Sequence, residues 1–114
     1  MEIKTSTKDG VTIIKISGSL DGNSVNEAQE KILPMLSAGS GSLVLDLEDC
    51  GYVSSAGLRL LLMAAKQLAS MNALLALSGI SAEVKDVMEM TGFNNFFKMF
   101  DSVAAAVKAV RKGV

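Results

Sequence analysis

Along the chain, β-branched runs alternate with stretches in which apolar residues recur every three or four positions. Ile3 to Thr7 alternates weakly, and Asp9-Gly10 is a turn pair suited to joining two strands. Val11-Thr12-Ile13-Ile14-Lys15-Ile16-Ser17 predicts a strand, so residues 3–17 are expected to form a hairpin that Gly18 ends. Leu20 to Ser24 reads as a turn. Ser24 stands three residues before Glu27, the spacing of a capping box, and Val25, Ala28, Ile32, Met35 and Leu36 follow at helical intervals. Pro34 falls late in that helix, where a kink is expected, and Ala38-Gly39-Ser40-Gly41 is its expected stop. Leu43-Val44-Leu45-Asp46-Leu47 is almost continuously apolar and predicts a central strand covered on both faces.

Glu48 to Ala56 reads as a loop. Leu58 to Met71 predicts a helix with Leu58, Leu61, Leu62, Ala65 and Leu68 on one face and Asn72 as C-cap. Ala73 to Leu77 predicts another buried strand. Ser81 is expected to cap a short helix through Met90, with Val84, Val87 and Met88 inward and Thr91-Gly92 stopping it. Phe96 to Phe100 predicts a last strand, and Ser102 to Lys112 a terminal helix carrying Val103, Ala106, Val107 and Val110. The order β-β-α-β-α-β-α-β-α predicts one α/β domain over residues 1–114, a single mixed sheet with about four helices. Its parallel pairs require right-handed crossovers.

Composition narrows what such a domain can do. Apolar residues make up 49% of the chain and charged residues 20%, which suits a packed core. Eleven basic and twelve acidic residues leave a net charge of −1, without the basic footprint of a nucleic-acid binder. No histidine is present, which removes histidine general-base catalysis and histidine metal sites. Cys50 is the only cysteine, so neither an internal disulfide nor a cysteine zinc site can form within one chain, and a small packing role is expected for it. A polar N-terminus and short apolar runs predict a cytoplasmic domain without direct membrane insertion.

The most informative stretch runs from Asp46 to Arg59. A buried strand leads into a loop with two adjacent serines, Ser54 and Ser55, and a helix follows at once. The free N–H groups and positive dipole end of that helix point back at the serines, so a phosphate there meets ready donors. Either serine is equally suited to N-cap the helix, the commoner role of serine at this place. The carboxylates of Asp46, Glu48 and Asp49 sit partly on a strand and partly in a loop, short of the converging oxygens that a hard cation needs, so no metal or other cofactor is expected. Enzymatic use of an activated serine lacks a base: Gly-x-Ser-x-Gly is absent, and Lys66 is not spaced to meet the serines.

Three stretches resemble the STAS domain family, in particular the bacterial anti-sigma factor antagonists. Gly18-Ser19-Leu20-Asp21 resembles the family's Gly-x-Leu-Asp turn. Residues 43–62 resemble its Leu-Asp-Leu, loop, Asp-Ser-Ser/Ala-Gly-Leu signature. Residues 79–93, from Gly79-Ile80-Ser81 to Thr91-Gly92-Phe93, resemble its third helix and the turn beyond. The resemblance covers nearly the whole chain and implies a STAS fold. It also implies a non-catalytic binding module that sequesters an anti-sigma factor with serine kinase activity. Phosphorylation switches the module off and a PP2C-type phosphatase resets it. Carried over by position, the phosphoacceptor is Ser55, with Ser54 as second choice, and Asp21, Ser54, Ser55, Gly57 and Arg59 form the partner-binding surface. Gly57 permits close approach at the helix start, and Arg59 is placed to pair with a phosphate or a partner carboxylate. The chain departs from the pattern at Ser54, where the family commonly has Asp, at Ala56, where it has a second hydroxyl residue, and at Arg59, often Gly. The family's alternative is a STAS subunit of a stress-signalling or transporter-associated complex without phosphorylation control.

Methionines such as Met88, Met90 and Met99 are expected mainly in the core. Phe93, Phe96, Phe97 and Phe100 cannot all enter one small core, and an exposed phenylalanine among them marks an interface. Glu83, Lys85, Asp86 and Glu89 read as a solvated helix face.

Overall fold

A computed structural model describes residues 1–37 and 41–111. The expected stop at Ala38-Gly39-Ser40 and the end of the last helix at Lys112 lie outside the described residues. The elements in order are β1 (Glu2–Lys8), β2 (Val11–Leu20), α1 (Val25–Ser37), β3 (Leu43–Asp46), β4 (Cys50–Val53), α2 (Ser55–Ser70), β5 (Leu75–Ser78), α3 (Ala82–Thr91), a single 3₁₀ turn (Phe93–Phe96), β6 (Lys98–Phe100) and α4 (Val103–Val110).

The sheet runs β1-β2-β3-β5-β6, with β4 added beside the end of β2. Only β1 and β2 are antiparallel. Their turn is the predicted Asp9-Gly10, at φ 53° and φ 80°, the left-handed pair that a two-residue hairpin demands. The remaining pairs, β2–β3, β3–β5, β5–β6 and β2–β4, are parallel. Hence β3 and β5 lie inside the sheet and carry Leu43, Val44, Leu45, Leu75, Ala76 and Leu77, all buried.

Alternation along the strands divides the core in two. One face bears Ile14, Ile16, Leu43, Leu45 and Leu77, and α1, α2 and α3 close over it with Ile32, Leu36, Leu61, Leu68 and Met88. On the other face α4 lays Ala106, Val107 and Val110 onto Val11, Ile13, Val44 and Ala76. That one short helix covers only part of its face. Beyond it the same face carries Lys15, whose Nζ lies 3.0 Å from Asp49.

The sequence pattern misplaces several details. The expected loop Glu48–Ala56 contains strand β4, because Gly18 to Leu20 of β2 extend past β3 and offer Cys50, Tyr52 and Val53 a parallel partner. The sheet therefore has six strands among the described residues. Helix α2 begins at Ser55, three residues early, and Met71 is its C-cap, with Asn72 just beyond at φ 60°. Ala73 and Leu74 precede β5, and Phe96 and Phe97 precede β6. Helix α1 runs through Pro34 as one element. The capping box does not form. The Ser24 hydroxyl turns back to donate to the Ser19 carbonyl at 2.6 Å and accepts the Asp21 N–H, while Glu27 pairs with Lys31. Val87 is exposed rather than inward, Met90 is 86% exposed, and of the four phenylalanines Phe96 is the exposed one, beneath Lys66. Gly92 does stop α3, in the left-handed conformation.

Candidate functional site

Two turns meet at the end of the sheet. The chain leaves β2 at Leu20 into the turn Asp21–Ser24, and leaves β4 at Val53 into Ser54 and α2. Because Leu20 pairs with Val53, the turns are neighbours, and the Ser54 N–H ties them by donating to the Leu20 carbonyl at 2.9 Å. Each turn is closed by its own side chain. Asp21 Oδ1 accepts the Asn23 N–H at 2.9 Å and stands 3.3 Å from the Ser24 hydroxyl, and the Asp21 carbonyl accepts the N–H groups of Ser24 and Val25. At the second turn Ser54, in extended backbone, accepts the Gly57 N–H on Oγ at 3.2 Å.

The geometry divides the labour between the serines. Ser54 is the N-cap. Ser55 is the first residue of α2, exposed, and its hydroxyl makes no hydrogen bond among the described residues. A group added to Ser55 Oγ thus disturbs no existing contact and lies at the positive end of a sixteen-residue helix. Ser54→Ala removes the cap and is expected to lower stability by about 1 kcal/mol, whereas Ser55→Ala leaves it almost unchanged; urea unfolding of the two variants compares them.

Gly57 is buried where α2 crosses β2 and β4. A Cβ there would stand 2.6 Å from the Leu20 carbonyl oxygen, 2.9 Å from Leu20 Cγ and 3.0 Å from Val53 Cγ1. No side chain fits while both turns keep their places. Arg59 is exposed one turn along α2 from Ser55, at the i,i+4 spacing at which helix side chains meet. Asp21, Ser54, Ser55 and Gly57 are therefore gathered at one end of the sheet, and Arg59 stands on the helix that leaves it.

The acidic residues nearby have other engagements. Asp49 pairs with Lys15, raising the lysine pKa through that contact and through the charges of Asp46 and Glu48, and Asp46 Oδ1 accepts the Glu48 N–H. Lys66 lies over the Phe96 ring, roughly 16 Å along the helix from Ser55 at 1.5 Å per residue. Cys50 is buried, and desolvation pushes its thiol pKa up, so it stays protonated near neutrality.

The sequence reading missed a neighbouring apolar feature. Tyr52 on β4 is 57% exposed and Val87 on α3 is 43% exposed. With Val53, Leu58, Glu83 and Val84 they line a shallow cleft of about 100 Å³ beside the start of α2. Only the pairing of β4 with β2 brings Tyr52 to this place. The local signal available was an aromatic residue two positions before the serine pair.

These features are those of a STAS domain. The STAS domain model matches residues 2–106, and the chain belongs to that family. It is 31% identical over 111 residues to BtrV of Bordetella bronchiseptica, a proposed anti-sigma factor antagonist, covering 97% of this chain and 96% of that protein. It is 30% identical over 95 residues to the anti-sigma-B factor antagonist of Staphylococcus aureus, covering 83% and 88%. Among solved structures, a proposed anti-sigma factor antagonist of Thermotoga maritima superposes with a TM-score of 0.90 at 21% identity, covering 96% and 95%. The phosphorylated form of the Bacillus cell-fate determinant SpoIIAA does so with a TM-score of 0.75 at 19% identity, covering 96% and 100%. These two likenesses bear on the fold. No helix among the described residues is long and apolar enough to cross a membrane.

Proposed function

We propose that this chain is an anti-sigma factor antagonist, a cytoplasmic and non-catalytic binding module whose partner is an anti-sigma factor with serine kinase activity. In this reading the partner phosphorylates Ser55 and so releases itself, and a PP2C-type phosphatase restores the binding form. The observation that carries the reading is the division of roles at the start of α2. Ser54 holds the helix, which leaves Ser55 exposed, unengaged and free to change chemically.

The partner-binding surface comprises Asp21, Ser54, Ser55, Gly57 and Arg59, extended by the apolar cleft of Tyr52 and Val87. A tyrosine beside a small cleft, ringed by polar turns, has the make-up of an interface centre with a polar rim. Phosphorylation adds a charge of about −1.5 to −2 to this surface. The dipole of α2 and its unpaired first-turn N–H groups accommodate that charge, so the fold persists while the surface becomes strongly negative. Arg59, one turn on, is placed to share the phosphate. The known relatives support the antagonist role, since an antagonist from one bacterium and a proposed antagonist from another align with most of the chain.

The test is phosphopeptide mapping of the protein isolated from growing and stressed cells. Phosphate on Ser55 whose occupancy changes with condition is the expected result. Phosphate on Ser54 keeps the switch but moves it to the capping residue. An unmodified protein in every condition overturns the switch and favours a constitutive STAS subunit of a larger complex.

A further inference from the structure

Among the described residues, the strand order leaves β1 with one partner. It pairs with β2 over its whole length, and its other side is a sheet edge, with six of its seven residues exposed. Which backbone groups face that edge follows from the turn. In a two-residue hairpin the flanking pair, here Lys8 and Val11, exchanges both hydrogen bonds, and such pairs then recur at every second residue. The backbone groups of Glu2, Lys4, Ser6 and Lys8 are thus directed at β2, and those of Ile3, Thr5 and Thr7 point outward. No proline or bulge interrupts the strand.

From this edge we infer that a second copy of the same chain pairs with β1, antiparallel and related by a two-fold axis at Thr5. In that register Thr5 faces Thr5 of the other copy and Ile3 faces Thr7, so every outward backbone group meets a partner. Glu2 falls opposite Lys8, twice by symmetry, and Lys4 falls opposite Ser6. Shifting the axis to Lys4 sets Lys4 against itself. Shifting it to Ser6 sets Lys4 against Lys8 twice. Like charges directly opposed destabilise a strand pair and opposite charges stabilise it, so the Thr5 register is the only one of the three with complementary charge. The interface is isologous, the same patch on both copies. Parity also holds, since residues facing each other on one copy's α4 side lie on the α4 side of the other, and the two sheets become continuous. The two Lys4 side chains approach diagonally across the axis, each already 3.9 Å from its own Glu2, which keeps the association modest. Because β1 lies at the sheet edge and the serine turn follows β4, pairing involves none of the residues assigned to partner binding.

Sedimentation equilibrium of the full chain, from micromolar to about 1 mM, where a millimolar constant still registers, tests this pairing. A concentration-dependent dimer that weakens with added salt is expected. Lys8→Glu should weaken it at least tenfold, and Glu2→Lys/Lys8→Glu should restore it, since the swap re-creates both ion pairs. Thr5→Pro should abolish it without unfolding the monomer, because the lost N–H faces the edge and not β2; circular dichroism checks the fold. A monomer at every concentration overturns the inference, as does a dimer indifferent to both the charge variants and Thr5→Pro.

Discussion

Ser55→Asp is expected to weaken binding of the anti-sigma partner by about 100-fold, equivalent to about 2.7 kcal/mol, while Ser55→Ala binds almost as the parent does. The difference rests on charge and not on shape. Ser55 is exposed at the first turn of α2, and its hydroxyl makes no hydrogen bond among the described residues. A carboxylate placed there must be desolvated or opposed when a partner covers the surface, and an unpaired or like-charged group at an interface costs several kcal/mol. In the free protein the same carboxylate sits at a helix N-terminus, where it is favoured by about 0.3–1 kcal/mol. The affinity should therefore fall while thermal stability holds or rises slightly. Titration calorimetry with the partner and thermal unfolding of the free variants read the two effects separately. Equal affinities for the Asp and Ala variants would remove Ser55 from the interface.

Gly57→Ala is expected to destabilise the protein by about 1–3 kcal/mol, the usual range for forcing an extra carbon into a packed site. Two effects oppose each other. Alanine favours a helix over glycine by up to about 1 kcal/mol, but the new carbon would stand 2.6 Å from the Leu20 carbonyl oxygen. That oxygen is backbone and also accepts the Ser54 N–H, so it cannot swing aside as a flexible side chain would. The steric effect wins. Relief requires moving the end of β2 away from the start of α2, the displacement that separates Asp21 from Ser55. Partner affinity should therefore fall together with stability, unlike the Ser55→Asp case. Urea unfolding gives the first quantity and calorimetry the second; a Gly57→Ala variant as stable as the parent would mean that the approach is looser than the geometry gives.

Much of this was legible in the residues themselves. The Asp9-Gly10 turn, the apolar runs of β3 and β5, the helical spacing of α2 and the glycine stop of α3 are local signals, and local physics forms them. The signature around Ser55 pointed to the family by itself, and the same region places Ser54, Ser55 and Gly57 together simply because they are adjacent. What the sequence left open depended on partners distant in the chain. Strand β4 is four residues with two exposed, too weak a pattern to announce itself, and it exists because β2 overshoots β3 and supplies a hydrogen-bonded edge. That same pairing draws Asp21 to the serine turn across some thirty residues, turns Tyr52 outward and gives Gly57 its close neighbours. The choice between two adjacent serines for the cap was also tertiary. The Ser54 N–H is fixed by Leu20, which sets the extended backbone of Ser54 and aims its hydroxyl at Gly57, leaving Ser55 on the surface. Residue type and spacing determined the helices, every strand but β4, and the candidate chemistry. The packing of β2 against β4 decided which serine holds the helix and which is free, because a hydrogen bond from a distant strand outweighs the near-equal local preferences of two neighbouring serines.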